Sequence, residues 1–307
     1  MGETLFDALM PLQPASSDNR LPQAATRTIF QFKLTVNYSI DRFIAFATSI
    51  SWARICLAGC LALLAGIEQA GADATAAETN FAAYAQRSFQ EAEVRYREKP
   101  GEGTAAWQFG RACFDLAEFA TNSTQRSFLA EQGIAASRLA ISCQSNSAPA
   151  HYYLAMNLGQ LARTKLLGAL KLVDQMELEF NRAHDLDERI DCAGPDRNLG
   201  QLYRDAPVIG SVGSRTRARE HLQRAVELAP LYPGNRLILI EAYLNWGEST
   251  GAARELQILE ECWPAARANF AGEAWAAKWA DWEPQLNKLK KKIEDPKRPL
   301  GAPREKH

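Results

Sequence analysis

The residues best suited to chemistry lie between Gly194 and Arg217. Arg197, Tyr203 and Arg204 precede a run of small residues, Gly210-Ser211-Val212-Gly213-Ser214, which opens onto Arg215 and Arg217. Free backbone N–H groups at a helix start, small residues and flanking guanidinium groups together could hold a carboxylate or a phosphate. The plainer reading of the same residues is an inter-helix loop capped by Ser214, with its charges turned to solvent. Just upstream, Asp185, Asp187, Asp191 and Asp196 cluster in DLDERIDCAGPD, a composition that invites calcium. An EF-hand loop needs Gly at its sixth position and a bidentate Glu at its end. This stretch has neither, so helix caps and a solvated turn account for the acids.

Nothing else in the sequence points to catalysis. It contains no GxSxG, GxxxxGK[ST] or HExxH motif and no dinucleotide fingerprint after a strand. The four histidines, His151, His184, His221 and His307, show no ligand spacing. No nucleophile, base and orienting group can be assembled, so the chain reads as non-enzymatic, with no cofactor or metal expected. Of six cysteines, Cys56 and Cys60 lie in an apolar segment, leaving Cys113, Cys143, Cys192 and Cys262. None forms a CxxC. One disulfide and buried helical thiols are both open readings, and the pairing is undetermined.

The elements that must position these residues are helices. The chain is rich in alanine, the best helix former and a residue depleted from strands. Thirty-five Lys plus Arg stand against 36 Asp plus Glu, a net charge of −1, which gives no reason to expect a nucleic-acid partner. Self-similarity is clearest in LGQLY…RAREHLQRAVELAP, where Leu199-Gly200-x-x-Tyr203 is followed by Ala218, Leu222, Ala225 and Pro230. Small residues at the crossing let two helices approach, large ones fill the groove, and Pro stops the second helix.

Further copies follow the same plan. Leu239, Ile240, Tyr243 and Gly247 are answered by Ala252, Leu256 and Leu259. Leu154, Ala155 and Leu158 are answered by Met176, Phe180 and Ala183, and Trp107, Gly110 and Phe114 by Gly133, Ser137 and Ala140. An isolated second helix carries Ala85, Phe89 and Ala92. The closing positions Ala92, Ala140, Ala183, Ala225 and Leu259 are 48, 43, 42 and 34 residues apart. The added residues are expected to lengthen a helix from Leu166 through Leu170, Val173, Met176 and Phe180, and to form a loop over Ala206–Ser214.

These residues resemble the tetratricopeptide (TPR) pattern. The irregular spacing, Trp107–Leu116 and Asp196–Pro230 together look like the divergent TPR group that includes the T component of TRAP transporters and the regulators of microtubule dynamics. The resemblance, over roughly residues 80 to 262, implies an all-α, right-handed α-solenoid of TPR-like antiparallel helix pairs. It also implies a protein or peptide partner held in the concave groove, lined by residues such as His151, Tyr152 and Tyr203. The alternative it suggests is an accessory, T-like component of a solute transporter, with a small ligand between helices and a membrane or solute-binding component as partner. Homo-oligomerisation is compatible with either.

The ends of the chain complete the expected layout. Residues 1–54 show no sustained period and read as a disordered leader or as sequence preceding the true start. Ile55–Ile67 is an uncharged apolar run after Arg54, followed by Ala70-Gly71-Ala72, which matches a secretory signal cleaved after Ala72. A membrane segment joining Phe43 to Ile67 would put Arg54 in the bilayer at a cost of about 2.5–3.5 kcal/mol. Leu57-Ala58-Gly59-Cys60 looks like a bacterial lipobox displaced toward the start of the run. The protein is therefore expected to be exported and periplasmic, with membrane anchoring as the variant reading. The repeat domain is expected over residues 76–283. It would end in a capping helix bearing Trp275, Trp279 and Trp282 on one face and kinked at Pro284, before a basic tail over 284–307. An aromatic binding stripe is the competing reading of the three tryptophans.

Overall fold

The computed structural model describes residues 61–165 and 167–294, with side chains from Asn80 onward. The leader, Ile55–Cys60, Leu166 and residues 295–307 lie outside the described residues. Ten helices and no strand make up the described chain: α1 (Leu61–Glu98), α2 (Gly103–Ala117), α3 (Ser123–Cys143), α4 (Ala148–Ala162), α5 (Ala169–Leu186), α6 (Ile190–Asp205), α7 (Arg215–Leu228), α8 (Pro233–Asn245), α9 (Ser249–Asn269) and α10 (Glu273–Glu294). No helix among them is long and apolar enough to cross a membrane.

The helix boundaries follow from local chemistry. Asn122 caps α3 by accepting the Gln125 N–H at 2.8 Å, and Ser214 caps α7 through the Arg217 N–H. Pro149 and Pro233 sit in the first turns of α4 and α8, where a missing N–H costs nothing. Pro230 follows the end of α7 and cannot continue it. Gly168, at φ +78° with open space around it, turns the chain between α4 and α5. Of the apolar face expected from Leu166 onward, Leu166 lies outside the described residues. Leu170 is exposed on α5, and Val173, Phe180 and Ala183 carry the burial. The expected lengthening is not seen: α5 has 18 residues, more than the 14 of α7 but fewer than the 21 of α3 and of α9 in the compact copy.

Sequence neighbours pack as antiparallel pairs, and small residues set their approach. Ala106, Gly110 and Cys113 of α2 lie buried against α3, whose Gly133, Ser137 and Ala140 are also buried. Beyond these pairs, α2 touches α4, α4 touches α6, α6 touches α8 and α8 touches α10. The first helices of the repeats therefore form an inner layer and α3, α5, α7 and α9 an outer one. This is an all-α solenoid, and its core is handed from repeat to repeat: Phe89, Met176 and Trp246 each pack against two of the buried clusters.

The two ends of the solenoid meet. Arg87 of α1 is 2.6 Å from Glu273 of α10. The face of α10 that carries the tryptophans turns inward, with Trp279 and Trp282 buried beside Tyr232, Phe270 and Leu286, and Trp279 Nε1 donates to the Phe270 carbonyl at 2.6 Å. The stripe is a seal, not an exposed binding surface. The helix also runs on past Pro284 to Glu294, because Gln285, Leu286 and Leu289 are buried in the same cap. The basic tail accordingly starts later than the proline suggests.

Candidate functional site

The expected anion cradle does not assemble. Arg204 is nearly buried and paired with Asp205 at 2.6 Å and Glu241 at 3.4 Å. Arg215 is paired with Glu248, which also takes Arg219, and its guanidinium lies 5.4 Å from the Trp246 ring. Ser214 is spent on capping α7. Tyr203 is buried, its ring covered by the Arg217 guanidinium at 4.0 Å. The Ser214 cap is present, but the charges are not all turned to solvent, since Arg197 and Arg204 are buried in ion pairs. His151 is no groove residue either: its Nδ1 meets Glu179 of α5 at 2.5 Å and its Nε2 the Ser145 carbonyl at 3.0 Å, so both nitrogens tie α4 to its surroundings.

Two of the expected residues, Tyr152 and Arg197, do come together, around an unusual turn. Asp191, Cys192 and Ala193 all have left-handed backbone, with φ of 50°, 55° and 62°. Non-glycine residues in this region cost roughly 1–2 kcal/mol each and persist only when their surroundings enforce them. The enforcement is visible. Arg197 donates to the Asp191 and Cys192 carbonyls at 3.0 and 3.1 Å, to Asn235 Oδ1 at 3.1 Å and to the Asp191 carboxylate at 2.6 Å. Asn235 in turn donates to the Cys192 and Ala225 carbonyls. Tyr152, fully buried, donates its hydroxyl to Asp191 at 2.7 Å and accepts from Asn198 at 3.0 Å. Gly194 completes the fit, since a Cβ there would lie 2.5 Å from the Tyr152 hydroxyl oxygen.

This turn leaves Asp191 exposed at the start of inner helix α6. Arg111 and Asp115 of α2, Tyr153 of α4, Asp191 and Arg197 of α6, Tyr232 at the start of α8 and Lys278 of α10 act electrostatically on one another, although they come from five helices. Lys278 and Arg111 are nevertheless exposed. Arg111, Asp115, Asp191 and Lys278 reach solvent, whereas Tyr153, Arg197 and Tyr232 are buried, an arrangement that fits a hollow on the inner side of the solenoid. Enclosure is the largest influence on Asp115. Together with the charges of Asp191 and Glu118 it pushes the carboxyl up to about 6, against the pull of Arg111 and Lys278. Enclosure works against the Lys278 charge, but Tyr232, Glu118, Asp115 and Asp191 outweigh it and hold the ammonium above its usual range. Burial raises the Tyr153 and Tyr232 hydroxyls, so both remain protonated donors.

Beyond Asp191 and Arg197, the hollow's residues are not marked by any motif. They lie on separate helices, and only the curvature of the solenoid gathers them. Trp107, singled out as a repeat position, stacks on Tyr153 at 6.1 Å between ring centres, and Arg111 lies 5.8 Å from the same Tyr153 ring.

The acidic cluster also divides differently from expectation. Asp187 accepts the Arg189 N–H as a local cap, but Asp196 is 1% exposed and receives His184 and His221 at 3.0 and 2.7 Å. It is a buried clasp between α5, α6 and α7, not part of a solvated turn. No group of three or more His, Cys, Asp or Glu among the described residues could hold a metal ion. The four cysteines are free thiols: Cys113 is buried, with burial pushing its thiol up to about 12, while Cys143 is exposed.

Two surface depressions open to solvent away from the hollow. One lies between α3, α4 and α5 around Ile134, Leu158 and Leu172, and the other between α9 and α10 around Phe270 and Trp279. No protein-family model matches the chain, and no curated protein matches its sequence.

Proposed function

We propose that this protein is an exported, non-enzymatic scaffold of the TPR-like type, which binds a protein or peptide segment in the hollow formed by its inner helices. The observation that carries this reading is the hollow itself. Helices from across the solenoid contribute the exposed Arg111 and Lys278 and the part-exposed Asp115 and Asp191, with Tyr153 and Tyr232 buried at α4 and α8. A chain built to seal its ends, with the α10 tryptophans closing one and Arg87–Glu273 joining the two, presents this interior as its distinctive surface. Export rests on the apolar run and the Ala70-Gly71-Ala72 site. A scaffold of this kind uses fixed side chains on rigid helices, so its partner is held by complementarity to the groove and no bond is made or broken.

Capture of a partner from native membranes, using the full chain as bait, tests this. Reversing charge in the hollow with Arg111→Glu and Lys278→Glu should abolish capture of a defined protein. Reversing exposed outer charges with Lys171→Glu and Arg182→Glu should leave capture intact. Loss only with the outer pair would place the binding face elsewhere.

A further inference from the structure

We infer that one edge of the solenoid docks on an anionic lipid surface, with Leu167, Val208 and Ile209 entering the headgroup layer and Lys165 and Lys171 meeting the lipid phosphates. Single exposed apolar side chains are ordinary on any protein, so their placement decides. Eight large apolar side chains are exposed among the described residues. Four of them, Leu167, Leu170, Val208 and Ile209, lie on two loops or on the helix turn that follows one. Both loops run from an inner helix to its outer partner, α4 to α5 and α6 to α7, so the antiparallel stacking puts them at the same edge. Contacts join the two. Arg217 donates one guanidinium nitrogen to the Val212 carbonyl of the second loop at 2.8 Å and the other to Glu177 of α5 at 2.7 Å. Val212 also shares a buried cluster with Val173, about one turn along α5 from Leu170.

The second loop is framed so that its tip protrudes. The Gly213 N–H donates to the Pro207 carbonyl at 3.1 Å and the Ser214 N–H to the Tyr203 carbonyl at 2.8 Å, which closes the loop at its base. A Cβ at Gly213 would lie 2.2 Å from the Ala206 carbonyl oxygen, so glycine is what lets the two arms come this close. Val212 is turned inward and buried, while Val208 and Ile209 stand out at 75% and 92% exposed. In the first loop Leu167 is 78% exposed, just before the left-handed Gly168 that leads into α5.

Charge selects the partner. Lys165 and Lys171 flank Leu167 and Leu170, and neither ammonium has an ion pair or hydrogen bond among the described residues. The arginines on this edge are answered, Arg163 by Glu118 and Arg217 by Glu177, while Glu248 alone serves both Arg215 and Arg219. Asp174, exposed a turn further along α5, offsets one of these charges and leaves the edge positive. Protein-binding hot spots are typically aromatic or arginine side chains set into pockets. These two tips are aliphatic and protrude, which suits insertion between headgroups whose phosphates then meet the lysines. The hollow takes no part in this contact.

The test uses the full chain with the fluorescent amino acid Anap at position 209, or at position 231 on the opposite edge as control. It is titrated with vesicles of phosphatidylcholine and phosphatidylglycerol, about three to one, and with phosphatidylcholine alone. A blue shift at 209 and none at 231 is expected, weaker with phosphatidylcholine alone. Lys165→Glu with Lys171→Glu should raise the lipid concentration needed for half the shift at least about tenfold, and Leu178→Glu on the outer face should not. These side chains are exposed, so the variants should melt like the parent, and circular dichroism checks this. Position 209 reports the tip itself, so a chain held to vesicles only through Ile55–Ile67 binds without the shift. That result overturns the proposal, as does no binding, an equal shift at 231, or a shift indifferent to the lysine reversals. A shift at 209 that grows with protein concentration in the absence of lipid marks contact between copies, and overturns it too. Partner capture from detergent-solubilised membranes involves no bilayer, so it is read separately from this contact.

Discussion

Arg197 and Asp191 form a tight pair whose role is to hold a backbone turn. One guanidinium nitrogen sits 2.6 Å from the Asp191 carboxylate, and the other takes the Asp191 and Cys192 carbonyls. Arg197→Ala would leave these acceptors and Asn235 under-satisfied beside three left-handed residues. Asp191 keeps access to water, so the cost falls on the carbonyls and Asn235 left without a donor, about 1–3 kcal/mol, and urea denaturation should show a fall of that order. Arg197→Lys should recover little, because a single ammonium cannot span a carboxylate and two carbonyls.

Gly194→Ala tests the close approach of Tyr152. The added methyl would meet the Tyr152 ring and hydroxyl at 2.5–2.8 Å, and Tyr152 is fixed by three hydrogen bonds. The expected destabilisation is about 1–3 kcal/mol, in the range of overpacked cores. A variant as stable as the parent would mean that Tyr152 can move freely.

The repeat plan was legible because it depends on local spacing. Ala92, Ala140, Ala183 and Ala225, read as closing positions, are all buried to within 3% exposure. The hollow was not legible because Arg111, Asp115, Tyr153, Tyr232 and Lys278 are brought together only by the curvature of the whole solenoid. The left-handed turn at Asp191–Ala193 was hidden for a different reason. No Gly or Asn marks it, and the side chains that enforce it come from Tyr152, Arg197 and Asn235 on three helices. The anion cradle does not form because each guanidinium already has a carboxylate or an aromatic ring from a neighbouring helix.

Removing α10 with a stop at Gly272 should expose Tyr232, Phe270 and Leu237, which Trp279, Trp282 and Leu286 now cover. Solenoids need their terminal faces sealed, so the truncated chain should aggregate, as read by light scattering. Trp282→Ala, milder, should cost about 3–5 kcal/mol. A soluble, monomeric and equally stable truncation would contradict the capping role.

Asp115 gives the fold a pH-dependent stability. Its carboxyl is pushed up to about 6, whereas an unfolded Asp titrates near about 3.9. Between those values the folded state holds a proton that the unfolded state has released. This group's contribution to stability therefore rises as pH falls through about 6 toward 4, and falls as pH rises. The side chain is 45% exposed, so the effect is modest. Urea midpoints measured across this window for the parent and for Asp115→Asn should differ by that slope. An identical dependence, or one of opposite sign, would count against the enclosed hollow.

The central claim is that the interior, and not the outer layer, meets the partner. Its most direct test is photo-crosslinking in host cells, with benzoylphenylalanine placed at Arg111 in the hollow or at Leu178, which is 66% exposed on outer helix α5. The account predicts a discrete adduct from position 111, suppressed by Lys278→Glu, and none from position 178. An adduct from 178 with none from 111 would contradict it.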